Sequence, residues 1–94
     1  NTSKLIELGG NITLEGFENL EPGALVIVKK VVGNYTKKIS NNIINFERIL
    51  ISIDKDDLNN VKVKLHKNGE IEMQEASDSN LFFALDRALS KFNS

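Results

Sequence analysis

The stretch Pro22 to Ile39, PGALVIVKKVVGNYTKKI, decides the fold, because it reads either as a strand or as a helix. Its run ALVIVKKVV is rich in β-branched residues, which suit a pleated, half-buried surface. Against that, Leu25, Val28, Val32, Tyr35 and Ile39 fall within about 80° of arc at about 3.6 residues per turn, flanked by Ala24 and Val31. The stripe persists to Ile39, and Ser40-Asn41-Asn42 then breaks it. Pro22, the only proline, follows Glu18 and Glu21, and proline at a first helical position behind acids is a helix-start signal. The spacing predicts a helix, with Gly33 its weak point.

Working outward, LIEL, a GGN break and ITLEGF on the N-terminal side read as either one bent strand or a short hairpin. On the C-terminal side FERILISI (Phe46 to Ile53) is a strand and DKDDLNN is its polar connection. VKVKLH and EIEMQ alternate apolar and charged residues, so each has one buried and one wet face. Burial then chooses the turn between them. A two-residue Asn68-Gly69 loop sets Leu65 opposite Glu72, with opposite demands for burial. A three-residue loop, Lys67-Asn68-Gly69 with Gly69 left-handed, instead pairs Leu65 with Ile71, Val63 with Met73 and Lys64 with Glu72, and is the expectation. Ser77, Asp78 and Ser79 are candidate caps for a final helix running to about Asn93. The expected fold is α+β, one domain over residues 1–94 in the order β-α-β-β-β-α. It has two helices packed on one face of a mainly antiparallel four-stranded sheet.

Composition narrows function. Cysteine is absent, which removes disulfides and thiolate metal sites and fits a reducing, cytoplasmic setting. The longest apolar run, Ala24 to Val28, is too short to span a bilayer, so no membrane partner is expected. The formal net charge of −1 conceals a segregation: residues 1 to 21 carry one Lys against four Glu, and residues 22 to 46 carry four Lys and no acid. A local basic surface can therefore exist on a nearly neutral chain.

Nothing in the sequence assembles catalysis. DKDDLNN has the oxygens of a calcium loop, but counting from Asp54 its sixth and twelfth positions hold Asn59 and Leu65 where Gly and Glu are required. His66, the only histidine, sits at a hairpin end opposite Glu70 with no second ligand. No nucleophile elbow or phosphate-cradling glycine loop is present. The expectation is a non-enzyme without cofactor, metal or small-molecule substrate.

Two features carry binding chemistry. Lys30 and Lys37 point away from the buried stripe of the first helix, with Lys29 and Lys38 on its shoulders and Gly33 and Asn34 between them. Small residues among lysines let a phosphate backbone approach closely, although lysines also simply solvate an outer face. In NLFFALDRALSKF (80–92), Phe82 clusters with Leu81, Leu85, Ala88, Leu89 and Phe92, while Phe83 projects to the other side near Arg87 and Lys91. That ring can stack on an unpaired base, lie under the arginine stem or anchor a protein interface.

The stretch EASDSNLFFALDRALSKF (75–92) resembles the last strand and helix of the ribosome hibernation-promoting factor family, also called ribosome-associated inhibitor A or sigma-54 modulation proteins. That family typically reads D-M-Y-A-A-I-D-x-x-x-D-K-L. Asn80 stands at the first Asp, Leu81 at Met, Phe82 at Tyr and Phe83 at the first Ala; Ala84, Leu85 and Asp86 follow in step, and Lys91-Phe92 fill the last two places. LGGNITLEG is similar to the family's opening G-x-N-V-E-I-T strand. Departures are Phe83, Asn80 and a β-branched first helix with fewer charges.

The resemblance implies a short-form member that binds the small ribosomal subunit and blocks translation by occupancy under stress. It implies that Lys29, Lys30, Lys37, Lys38, Arg87 and Lys91 hold ribosomal RNA phosphates. Two rivals stand beside it. The double-stranded-RNA-binding domain shares the α-β-β-β-α order but needs lysines at the start of its last helix, where this chain reads SDSNLFF. A protein-interaction or assembly domain would use Phe83 as its anchor.

Overall fold

Helix prevails over strand between residues 22 and 42. The computed structural model describes residues 5–54, 56, 57 and 59–93, and its first helix, α1 (Pro22–Asn42), starts with Pro22 in its first turn. Val28, Val32, Thr36 and Ile39 are buried along one face, with Leu25, Val31 and Tyr35 half-buried beside them. The energetic comparison is simple. A β-branched residue costs a few tenths of a kcal/mol against alanine in a helix, up to about 0.7. Burying a Val or Ile side chain returns roughly 1.5–3 kcal/mol. Tertiary burial overrides local preference.

The N-terminal segment is a hairpin, which gives the sheet a fifth strand. β1 (Leu5–Leu8) and β2 (Ile12–Glu15) pair antiparallel, with Leu8 opposite Ile12 across Gly9-Gly10-Asn11. Gly10 and Asn11 both adopt positive φ there, at 76° and 66°. The sheet continues through β3 (Phe46–Ile53), β4 (Asn60–Lys67) and β5 (Glu70–Ser77) in the order β1-β2-β3-β4-β5. Only β2 and β3 are parallel, and α1 is the crossover such a pair requires. The fold is thus α+β with a mixed five-stranded sheet, one strand more than expected.

Ile12, Leu14, Ile49, Ile51, Ile53, Val61, Val63 and Leu65 line the covered face of the sheet and are all buried. Above them lie α1 and the second helix, α2 (Leu81–Ser90), which ends in a 3₁₀ turn at Lys91–Asn93. α2 packs over β4 and β5 and touches α1. Its cap is Asn80, whose Oδ1 accepts from the Phe82 amide at 2.8 Å, one residue beyond the serine and aspartate candidates. Asp78 instead accepts from the Asn80 amide at 3.2 Å.

Gly16 closes β2 in a position few residues can occupy. Its φ is +85°, and a Cβ there would lie 2.8 Å from the Ile53 carbonyl oxygen. The glycine lets the chain turn at the end of β2 and carry Phe17, fully buried, into the core.

The β4–β5 turn overturns the expected register. The loop has two residues, Asn68 (φ 49°) and Gly69 (φ 78°), the type I′ geometry that matches the twist of a hairpin. Gly69 is left-handed as expected, but Leu65 faces Glu72, Lys64 faces Met73, and His66 faces Ile71 instead of Glu70. The turn is also latched from outside β4–β5. Asn68 N donates to Asn45 O at 2.9 Å, Asn45 Nδ2 to Asn68 Oδ1 at 3.1 Å, and Gly69 N to Glu47 Oε2 at 2.7 Å. This register places Ala76 under α2 and turns Ile71 and Met73 outward, 63% and 54% exposed. Glu72 stays at the covered edge of the sheet, where Lys67 Nζ meets its Oε1 at 2.8 Å.

Candidate nucleic-acid interface

On α1 the side chains opposite the buried stripe form the most basic surface of the helix layer. Lys29, Lys30, Lys37 and Lys38 are all exposed, and among the described residues none of them makes an ion pair. At about 100° per residue, Lys30 and Lys37 project almost directly away from the core, Lys29 leans to the outer flank and Lys38 toward α2. Lys38 Nζ lies 5.8 Å from the centroid of the Tyr35 ring. Between the pairs, Gly33 has open space where a side chain would stand, with nothing within 4 Å of a built Cβ. The helix backbone is therefore reachable in the middle of four positive charges.

Tyr35 ties this surface to α2. Its hydroxyl donates to Asp86 Oδ1, a bond between residues 51 apart in sequence. That bond, then partial burial, then the carboxylate's charge push the phenol above its ordinary range. The pair marks the flank of α2 that faces α1.

Arg87 and Lys91 lie about 100° and 140° further round α2, on the flank facing β5. Arg87 Nε stands 3.6 Å from Asp78 Oδ2, and Lys91 Nζ donates to the Glu75 carbonyl at 2.8 Å, covering part of the β5 edge. The six basic residues singled out in the sequence therefore divide. Four share one face of α1, and two sit across the crest of α2 with acceptors of their own. Phe83 stands on that crest, 62% exposed, while Phe82 is half-buried against the core. The start of α2, where a duplex reader places lysines, is organised by Asp78 and Asn80.

Two features escaped the sequence reading. Val26 and Ile27 are exposed on α1 beside the lysines, where the β-branched run overflows the buried stripe. The uncovered face of the sheet also carries Arg48, Lys62, Lys64 and His66; the alternation in VKVKLH was the available signal. A shallow hollow of about 420 Å³ lies on that face between β1 and β4, with Glu7, Glu15, Arg48 and His66 at its walls. In the loop after β3, Asp54 and Asp57 spend one carboxylate oxygen each on turn amides, those of Asp56 and Asn59. Lys55 and Leu58 of that loop lie outside the described residues. Among the described residues no helix is long and apolar enough to cross a membrane. Comparison with protein-family models and with curated proteins finds no match for this chain.

Proposed function

We propose that this domain binds RNA through its helix layer, with α1 as the phosphate-binding element, and that its target is the small ribosomal subunit. The observation that carries this reading is the set of four exposed lysines, none in an ion pair among the described residues, around the open backbone at Gly33. Each lysine that meets a phosphate releases condensed counterions, and the compact arrangement suits a backbone running across the helix. Phe83 is the one strongly exposed aromatic ring among the described residues, and it lies on the same helix layer. It supplies a stacking surface for an unpaired base at the margin of the lysine face. Arg87 and Lys91 act in a second row, since each must first leave its present acceptor.

The ribosomal target rests on the sequence resemblance of residues 75–92 and on the order β2-α1-β3-β4-β5-α2, which is the order of that family; β1 is an addition. Action by occupancy, blocking translation under stress, follows from the same resemblance and from a surface that holds charge without a reactive group. The duplex-RNA reading fares less well because Asp78 occupies the place of the required lysines.

Sedimentation of the protein with small subunits at about 50 and 200 mM salt tests the electrostatic part. Four phosphate contacts predict a loss of roughly 50- to 150-fold in affinity over that range. Salt-independent association would overturn the lysine-face reading, and absence of association at low salt would overturn the ribosomal one.

A further inference from the structure

β5 is an outer strand of the sheet, and alternate residues along it turn their backbone groups to an open edge. The Asn68-Gly69 turn makes Lys67 and Glu70 the hydrogen-bonded pair that closes the hairpin, and such pairs alternate along an antiparallel ladder. Glu70, Glu72, Gln74 and Ala76 therefore direct N–H and C=O toward β4, and the Asp78 amide continues the series onto Asn59 O at 3.3 Å. Ile71, Met73 and Glu75 direct theirs outward. Lys91 Nζ meets the Glu75 carbonyl there, but the N–H and C=O of Ile71 and Met73 find no partner among the described residues.

Proteins ordinarily blunt such an edge with a proline, a bulge or a lysine. β5 runs in unbroken register from Glu70 to Ser77 with no proline, glycine or basic residue of its own. Its outward-directed backbone belongs to two strongly exposed apolar residues, Ile71 and Met73, on the uncovered face of the sheet. On the covered side the edge presents Glu70, Glu72 and Gln74. Charge along the edge is uneven. Past Gln74 each acid has a cation beside it: Glu75 stands next to Lys62 and Asp78 next to Arg87. At the turn end Glu70 makes no ion pair among the described residues, Glu72 has Lys67, and Glu47 reaches the same corner to accept from the Gly69 amide. Three carboxylates there face one ammonium.

We propose that the β5 edge is a docking site for an extended segment of another protein, added as a sixth strand antiparallel to β5. The segment alternates apolar residues with Lys or Arg. Residues opposite Ile71 and Met73 exchange both backbone bonds with them and place apolar side chains on the same uncovered face. The intervening basic residues fall on the covered side, beside Glu70 and Glu72, where the excess negative charge lies. Main-chain bonds supply affinity and the alternation supplies selectivity. Lys91 on the Glu75 carbonyl marks where the added ladder ends. A second copy of β5 does not fit. Antiparallel pairing centred on Glu72 sets Ile71 opposite Met73 but Glu72 against itself, and pairing centred on Met73 sets Ile71 opposite Glu75. The site uses no residue of the α1 lysine face, so this inference stands apart from the RNA-binding proposal.

The probe is the acetylated, amidated peptide STVKVK, titrated into the isotope-labelled chain and followed by the amide NMR signals. Its valines are set opposite Met73 and Ile71, and its lysines beside Glu72 and Glu70. The expected result is saturable movement of the Ile71, Met73 and Glu75 amides, with the amides of α1 unmoved. The peptide STVEVE binds at least about tenfold more weakly. Glu70→Lys and Met73→Lys each weaken STVKVK by at least about fivefold. Both side chains are exposed, and circular dichroism checks the fold. N-methylation of the two valine amides, which face β5, abolishes binding, whereas N-methylation of the two lysine amides, which face away, leaves it within about twofold. Absence of movement at millimolar STVKVK overturns the proposal. So does binding that is indifferent to which amides are methylated, to Glu70→Lys, or to the exchange of lysine for glutamate in the peptide. Signals of β5 that move with protein concentration alone would make a second copy the occupant, and would overturn it equally.

Discussion

Gly33→Ala separates the structural and functional demands on α1 in one substitution. Gly33 lies in the interior of a 21-residue helix, with ordinary helical backbone and nothing within 4 Å of the added methyl. Only the intrinsic preference then changes, and alanine is favoured over glycine by about 0.8–1.0 kcal/mol in a helix interior. For a domain of this size that gain corresponds to a rise in Tm of roughly 4–8 °C. Denaturant and thermal unfolding followed by circular dichroism measure it directly. The methyl also occupies the gap through which an RNA backbone would reach the helix, so affinity for ribosomal RNA should fall as stability rises. A variant no more stable than wild type would refute the helical geometry assigned to residue 33. A more stable variant with undiminished RNA affinity would refute the role given to the gap.

Three other substitutions test the rest of the account. Gly16→Ala forces an L-residue into positive φ against the Ile53 carbonyl, and should cost at least about 1–2 kcal/mol in chemical denaturation; a neutral result would contradict the close approach. Thr36 is 4% exposed and its Oγ1 finds no hydrogen-bond partner among the described residues, so Thr36→Val should stabilise by about 1 kcal/mol. The folded phenol of Tyr35 titrates above its unfolded value of about 10, so its stabilising bond is intact below that pH and is lost as pH rises through the folded value. Tyr35→Phe should therefore be less stable than wild type at neutral pH, and the gap should close in strong alkali; a constant gap would refute the bond to Asp86.

Much of this architecture was legible because long amphipathic patterns are redundant. The stripe from Leu25 to Ile39 outweighed the β-branched run, and the rhythm of α2 assigned Phe82 inward and Phe83 outward, as the structure has them. The hairpin register was misread because the reading assumed that Ile71 and Met73 must be buried. In the fold they lie on an edge strand whose turn is held by Asn45 and Glu47, residues more than twenty positions away that no local pattern reveals. The extra strand β1 was left open because a Gly-Gly-Asn break serves a bend as well as a reversal. The basic positions were identifiable one by one, but their division between two flanks depends on how α2 is rotated against α1. That rotation is expressed in Tyr35 and Asp86, a contact no spacing predicts.

The most direct test of the central claim is co-sedimentation of the Lys30→Glu/Lys37→Glu variant with purified small ribosomal subunits at low salt, beside wild type and with its fold verified by circular dichroism. Both side chains are exposed and make no ion pair among the described residues, so stability should hold within about 0.5 kcal/mol. Loss of co-sedimentation by the folded variant is the predicted result. A folded variant that sediments with the subunit as wild type does would contradict the assignment of α1 as the RNA-binding element.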